Sequence, residues 1–124
     1  MKTAQDFLAE ANAVVKRITP EEGIAFHGKP NSVFVDVRDS GDIAKSGTVD
    51  GAVRIARGFI EFAADNNTPH HNPAMQKDAN IFVLCALGGQ AALAGKTLKD
   101  MGYTSVTNVG GFNDWKEAGG PTEA

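Results

Sequence analysis

The sequence predicts an α/β protein in which a parallel sheet is covered by helices on both faces. Short runs of β-branched and aromatic residues alternate along the chain with helical patterns, and short glycine turns separate them. The principal runs carry no polar alternation, which is typical of strands that are buried on both faces. A length of 124 residues favours a single domain that occupies residues 1–124.

The amino-terminal residues predict an amphipathic helix. Apolar side chains recur at helical spacing from Phe7 to Ile18, and Thr3 followed by Asp6 gives a weak capping signal. We therefore expect an N-terminal helix over residues 1–18.

A capping box predicts a second, short helix. Thr19 is suited to the N-cap, Pro20 to the first helical position, and Glu22 can reach back to the cap. This helix is expected to end near His27. The turn cluster GKPNS follows, and then the run VFVDV predicts a buried strand.

The middle of the chain contains weaker signals. Residues 40–51 mix glycine, serine and charged residues without sustained periodicity, so we expect a surface connection that has room for one helical turn. Residues 52–55 are expected to form a short strand and residues 59–63 a short helix, followed by a loop rich in asparagine, proline and histidine over residues 65–73.

The stretch from Ile81 to Gly95 predicts a strand and a helix with the only cysteine at their junction. The apolar run IFVL ends at Cys85, and a glycine pair opens a pattern of strong helix formers. This helix is expected over residues 89–101. A strand over residues 105–109 and a last helix over residues 112–118 complete the prediction, with Phe112 and Trp115 packed in the core.

Cys85 is a candidate nucleophile because of its predicted position. Ligands bind at the carboxyl ends of strands in open α/β sheets, and a helix amino terminus favours the reactive thiolate. The amides from Ala86 to Gln90 can curl into an anion-binding cradle. The alternative is an inert core residue, since free cysteine is among the most buried residue types.

Composition disfavours several classes of partner. A net charge of −3 gives no basic field for nucleic acid or an acidic membrane surface. No metal is expected, because His27, His70 and His71 lack the spacing of a zinc site. The amino terminus lacks a secretory apolar segment, and one cysteine forms no internal disulfide, so we expect a cytoplasmic protein.

From ITPEEG onward, the chain resembles a single-domain rhodanese of the thiosulfate sulfurtransferase family. The matching segments are VFVDVRD, GTVDGAVRI, CALGGQ, KTLKDMGY and VTNVGGFNDW, in this order. The resemblance implies a five-stranded parallel sheet. It also implies that Cys85 takes sulfane sulfur from a small sulfur-containing anion or a persulfide donor. The sulfur then passes to cyanide, a thiol or a protein acceptor without any cofactor.

The resemblance also implies roles for residues around the cysteine. Ala86, Leu87, Gly88, Gly89 and Gln90 would form the substrate-binding loop. A supporting pair, Asp36 and Arg38, would brace this loop from the neighbouring strand, with Arg38 the nearest cation. The alternative for that pair is an ordinary surface ion pair, which stabilises little.

The loop departs from the family pattern CRxGxR, because Ala86 and Gln90 stand where two arginines are usual. Without these cations we expect a persulfide carrier with poor thiosulfate turnover. The alternative is a non-catalytic binding or regulatory module. A phosphatase is disfavoured because Ala91 stands where related phosphatases carry the phosphate-clamping arginine.

Overall fold

The computed structural model describes residues 1–124 and is built around a parallel sheet of five strands in the order β1-β6-β5-β2-β4. These strands are β1 (Lys16–Arg17), β2 (Ser32–Asp36), β4 (Val53–Arg54), β5 (Asn80–Cys85) and β6 (Ser105–Gly111). Two further strands, β3 (Thr48–Val49) and β7 (Thr122–Glu123), pair antiparallel in a separate ribbon. The predicted α/β class and five-stranded parallel sheet are confirmed.

Six α-helices and one 3-10 turn connect the strands. The helices are α1 (Ala4–Val14), α2 (Pro20–Ile24), α3 (Ser40–Ser46), α4 (Ile60–Ala64), α5 (Gly89–Asp100) and α6 (Phe112–Glu117), and the 3-10 turn is Arg57–Phe59. The predicted capping box at Thr19 is present, and the weak capping signal at Thr3 corresponds to a second capping box, formed with Asp6. No helix has the length and apolar character needed to cross a membrane.

The expected helix over residues 1–18 is too long. Helix α1 ends at Val14, Val15 is extended, and β1 pairs in parallel with β6, with Arg17 opposite Asn108. The N–H of Ile18 also donates to the carbonyl of Asn108 at 3.0 Å. The backbone therefore exchanges helical hydrogen bonds for sheet hydrogen bonds, a change that β-branched residues favour.

The connection over residues 40–51 is more regular than expected. Residues Ser40–Ser46 form helix α3, which begins after Asp39 as its N-cap and ends at Gly47 with a positive φ of 79°. The polar residues of this stretch resemble a loop in sequence. In the structure they form the exposed surface of a helix that has one buried side chain, Ile43.

Alternate side chains of β5 enter two hydrophobic clusters on opposite faces of the sheet. Ile81, Val83 and Cys85 belong to the larger cluster of 16 residues, which includes the buried side of α5. The second cluster of 7 residues contains Phe82 and Leu84. Phe112 and Trp115 of α6 are fully buried in it, as predicted. Cys85 thus faces α5.

Candidate active site

The Cys85 sulfur lies beneath the amino terminus of α5, at the carboxyl end of the central strand. The backbone N–H groups of Gly88 and Ala91 donate to Sγ at 3.0 and 3.3 Å. Cys85 is 2% exposed, and the loop over it carries the exposed residues Ala86 and Leu87. A neutral thiol is a weak acceptor, so two amide donors that converge on Sγ suit a thiolate.

The loop backbone has the shape that the cradle hypothesis requires. Gly88 has a φ of 106°, in the left-handed region that favours glycine, and it is the N-cap of α5. The N–H groups of Ala86 and Leu87 donate to no acceptor within the chain. These amides are therefore free for an anionic ligand, as are the unpaired first-turn amides of a helix in general.

The predicted loop residues differ in how far they are exposed to solvent. Gly88 is buried, Gly89 is half-buried, and Gln90 is exposed, while Leu87 is 83% exposed at the loop apex. Ala91 follows the predicted range, yet its amide is one of the two donors to the sulfur. Its methyl group is fully buried.

Arg17 is a site residue that the sequence did not reveal. Its Nη2 donates to the carbonyl of Leu87 at 3.2 Å, and a methyl group added to Gly88 would lie 2.5 Å from its Nη1. The expected N-terminal helix concealed it, because only the pairing of β1 with β6 brings Arg17 to the loop. The β-branched character of VVKRI was the available signal for a strand.

Asn108 of β6 was also missed, and it ties the loop to the neighbouring strand. Its Nδ2 donates to the carbonyl of Gly88 at 2.9 Å, and its Oδ1 accepts from the N–H of Gly110 at 2.8 Å. Asn108 is buried. A buried asparagine with both ends of its amide engaged fixes the positions of both backbone segments.

Asp36 and Arg38 form a buried network, so the surface ion-pair interpretation is wrong. Arg38 Nη2 lies 2.8 Å from the Asp36 carboxylate, which also accepts from the Thr48 hydroxyl at 2.7 Å. The remaining Arg38 donors reach the Ser46 hydroxyl and the Gly47 carbonyl. No donor of Arg38 contacts the cysteine loop, and Arg17 rather than Arg38 is the cation against it.

The link between this network and the loop is indirect. The Arg38 guanidinium lies 4.7 Å from the centre of the Phe112 ring. Phe112 follows Gly111, which is so close to the Ala86 carbonyl that a methyl group on Gly111 would overlap with it. The bracing of the loop by Asp36 and Arg38 therefore stays a prediction. Its route would be through Phe112 and Gly111 at the start of α6.

Arg57 and the histidines His27 and His71 make their hydrogen bonds outside the cysteine loop. Arg57 contacts Glu61 at 3.3 Å and Thr97, in the later part of α5, at 3.2 Å. The Nε2 atoms of His27 and His71 lie 2.7 and 2.9 Å from backbone carbonyl oxygens. No group of three or more histidine, cysteine and acidic side chains has an arrangement that could hold a metal ion.

The structure is that of an α/β protein in which loop amides bind one cysteine at the carboxyl edge of a parallel sheet. Residues 19–118 match the rhodanese-like domain family, and the chain belongs to this family. No protein of curated function matches the sequence.

Several solved structures are similar to the chain. One, from Rhodopseudomonas palustris CGA009, is described as a protein of unknown function and a possible tyrosine phosphatase. It is 37% identical, with a TM-score of 0.93, and the match covers 99% of this chain and 96% of that one. The rhodanese-like domain of an Anabaena protein is 25% identical, with a TM-score of 0.70 over 87% and 78% of the two chains.

A more distant structure is the polysulfide-sulfur transferase homodimer of Wolinella succinogenes. It is 24% identical, with a TM-score of 0.72 over 94% of this chain and 83% of that one. This likeness shows that the fold is shared.

Proposed function

We propose that the protein is a sulfurtransferase or persulfide carrier in which Cys85 holds the transferred sulfur. The observation that carries this proposal is the pair of amide donors at 3.0 and 3.3 Å from Sγ. Membership of the rhodanese-like family supports sulfur as the cargo. The free cysteine of such a carrier fits a reducing compartment, and the cytoplasm stays our expectation.

The proposed reaction has two half-reactions. The Cys85 thiolate attacks the sulfane sulfur of a donor such as thiosulfate, a sulfur–sulfur bond forms, and the donor bond breaks to release sulfite with its electron pair. The persulfide then gives its terminal sulfur to cyanide or a thiolate, which regenerates the Cys85 thiolate. The loop amides would stabilise the negative charge on sulfur in both states.

The donor is expected to carry less charge than thiosulfate. None of the residues from Ala86 to Gln90 is cationic, so the loop itself would bind an anion through backbone dipoles. Such a cradle suits a monoanionic persulfide better than a dianion. The exposed Leu87 side chain at the loop apex is available to contact a protein that accepts the sulfur.

A direct test is the detection of sulfur on Cys85. The protein is incubated with thiosulfate or glutathione persulfide, and intact mass is measured before and after cyanide. We expect one added sulfur that cyanide removes and that Cys85→Ser abolishes. No adduct with either donor would instead support a non-catalytic binding module, which the absent loop arginines favour.

The same protein is also tested for phosphatase activity, since one similar structure is described as a possible tyrosine phosphatase. A phosphate dianion is normally clamped by a loop cation. Here the sixth residue after the cysteine is the buried Ala91. We therefore expect no hydrolysis of p-nitrophenyl phosphate above the Cys85→Ser background.

The missing loop charge makes a separate prediction. Gln90→Arg should lower the KM for thiosulfate about tenfold, the effect of one partly solvated charge-assisted hydrogen bond. Gln90→Met is the control for side-chain length, and glutathione persulfide is the control donor. An unchanged KM in Gln90→Arg would show that the loop charge does not limit thiosulfate use.

A further inference from the structure

The guanidinium of Arg17 has no carboxylate partner, although every other arginine of the chain has one. Arg38, Arg54 and Arg57 each form an ion pair within 4.0 Å, whereas the ion pairs of the protein include none with Arg17. Its side chain instead lies against the backbone of Gly88 and Gly110. The Arg17 guanidinium beside the cysteine loop therefore has no ion-pair partner, although the carboxylates of Glu22 and Asp114 line the same cavity.

One peptide unit connects this charge to the sulfur. The carbonyl of Leu87 accepts from Arg17 Nη2 at 3.2 Å, and the N–H of the same peptide, on Gly88, donates to Cys85 Sγ at 3.0 Å. In a trans peptide the C=O and N–H bonds point in opposite directions. A cation at the oxygen both fixes the direction of the N–H bond and polarises it, since hydrogen bonds in a chain strengthen one another.

Two glycines permit this approach. A methyl group on Gly88 would lie 2.5 Å from Arg17 Nη1, and one on Gly110 would lie 3.1 Å from Nη2. Both residues have a positive φ, 106° and 88°. The guanidinium thus occupies the space that side chains at these two positions would fill.

We infer that Arg17 is a positioning residue that stabilises negative charge on the Cys85 sulfur through the Leu87–Gly88 peptide. Resting on the proposed function, this inference assigns to strand β1 part of the positive charge that the loop itself lacks. Arg17 precedes residues 19–118, the segment that matches the family. The negative charge in question is that of the Cys85 thiolate, the state that attacks a sulfur donor.

The inference is tested by alkylation of Cys85 with iodoacetamide at neutral pH. This electrophile is uncharged, so Arg17 affects the rate only through the thiolate. Arg17→Gln keeps a donor for the Leu87 carbonyl without the charge and should slow alkylation about fivefold, as expected of a partly solvated charge. Arg17→Lys should stay within about twofold of the unaltered protein.

Two controls separate charge from structure. Lys16→Gln removes the same charge from the adjacent, exposed residue, whose side chain points to the other face of the strand, and should leave the rate unchanged. In about 1 M sodium chloride, where the Debye length is about 3 Å, the unaltered protein should slow toward Arg17→Gln. The salt response needs no variant, so it tests the inference even if a substitution prevents folding.

Equal rates for Arg17→Gln and Lys16→Gln, or a rate in the unaltered protein that does not respond to salt, would overturn the inference. Alkylation uses no sulfur donor, so the two proposals fail separately. If Cys85 accepts no sulfur but Arg17→Gln slows alkylation, the role of Arg17 stands without the sulfur chemistry. If Cys85 carries sulfur and the Arg17 variants alkylate alike, only the role of Arg17 falls.

Discussion

At the scale of single residues, the site depends on backbone atoms more than on side chains. The sulfur is bound by two amides, and the side chains around the loop, Arg17 and Asn108, act on loop carbonyls. Substitutions in the loop therefore matter mainly where they change the path of the backbone. Within residues 86–90, Gly88 is the position at which the structure tolerates a side chain least, because of its φ and of the guanidinium beside it.

Gly88→Ala should slow the alkylation of Cys85 by more than its loss of unfolding free energy accounts for. The left-handed backbone should cost about 1–2 kcal/mol. The new methyl group displaces the flexible Arg17 guanidinium and weakens its contact with Leu87. Urea unfolding and iodoacetamide alkylation measure the two effects.

Gly51→Ala is the matched control for that substitution. Gly51 has a φ of 77°, and a methyl group there would contact nothing within 4 Å. Gly51→Ala should lose similar stability and keep the full alkylation rate of Cys85.

The double variant tests whether the two changes act through one contact. Adding Arg17→Gln to Gly88→Ala should slow alkylation little further, because both changes remove the same interaction. Additive losses would contradict this account.

At the scale of elements, the carboxyl end of β2 is held by the buried pair of Asp36 and Arg38. The side chains are 0% and 8% exposed, and the carboxylate accepts from both Arg38 and Thr48. Arg38 also contacts the Gly47 carbonyl, where α3 ends, and the Phe112 ring of α6. One guanidinium thus joins three elements next to the site.

Arg38→Met should destabilise the protein by about 3–5 kcal/mol, because it leaves the buried Asp36 charge without a partner. The double variant Asp36→Asn with Arg38→Met should recover part of this loss. Arg57→Met breaks a more exposed pair with Glu61 and should cost less than about 1 kcal/mol. Urea unfolding measures these losses of stability. Similar losses for Arg38→Met and Arg57→Met would contradict a stabilising role for the buried network.

The elements also show what the sequence could predict. Strand β5 and helix α5 were predicted because their own residues specify them, through an apolar run and a glycine followed by helix formers. Strand β1 has two residues, and its pairing with Thr107 and Asn108 determines it more than the β-branched residues around it do. Arg17 and Asn108 were missed for this reason, since their roles depend on the register between strands that are distant in sequence.

At the scale of the whole molecule, the carboxyl terminus is bound to strands β3 and β4. Strand β7 pairs with β3, Arg54 contacts Glu123 and the Ala124 carbonyl, and Trp115 Nε1 donates to the Pro121 carbonyl at 2.9 Å. The N–H of Gly51 donates to the Glu123 carboxylate. This hydrogen bond, followed by the bond from Arg54, holds the pKa of Glu123 below its ordinary value of 4.5.

The contribution of Glu123 to stability should therefore depend on pH. A carboxyl with a lowered folded-state pKa stabilises the fold above its unfolded value of 4.5, and this contribution disappears as the pH falls through the folded pKa. Glu123→Gln should be less stable than the unaltered protein at neutral pH, with the difference vanishing in acid. Glu117→Gln, at an exposed residue outside any ion pair, should show no such difference. A loss in Glu123→Gln that is the same at every pH would contradict this prediction.

The position of Arg17 has a consequence for the choice of the boundaries of a protein fragment. The family segment begins at residue 19, so a fragment trimmed to that boundary keeps Cys85 and its loop while it discards the guanidinium that holds the Leu87 carbonyl. The same trimming removes β7 at the other end. The contacts of the cysteine loop extend beyond the family segment, and, on the role proposed for Arg17, the thiol of such a fragment would react more slowly than that of the 124-residue chain.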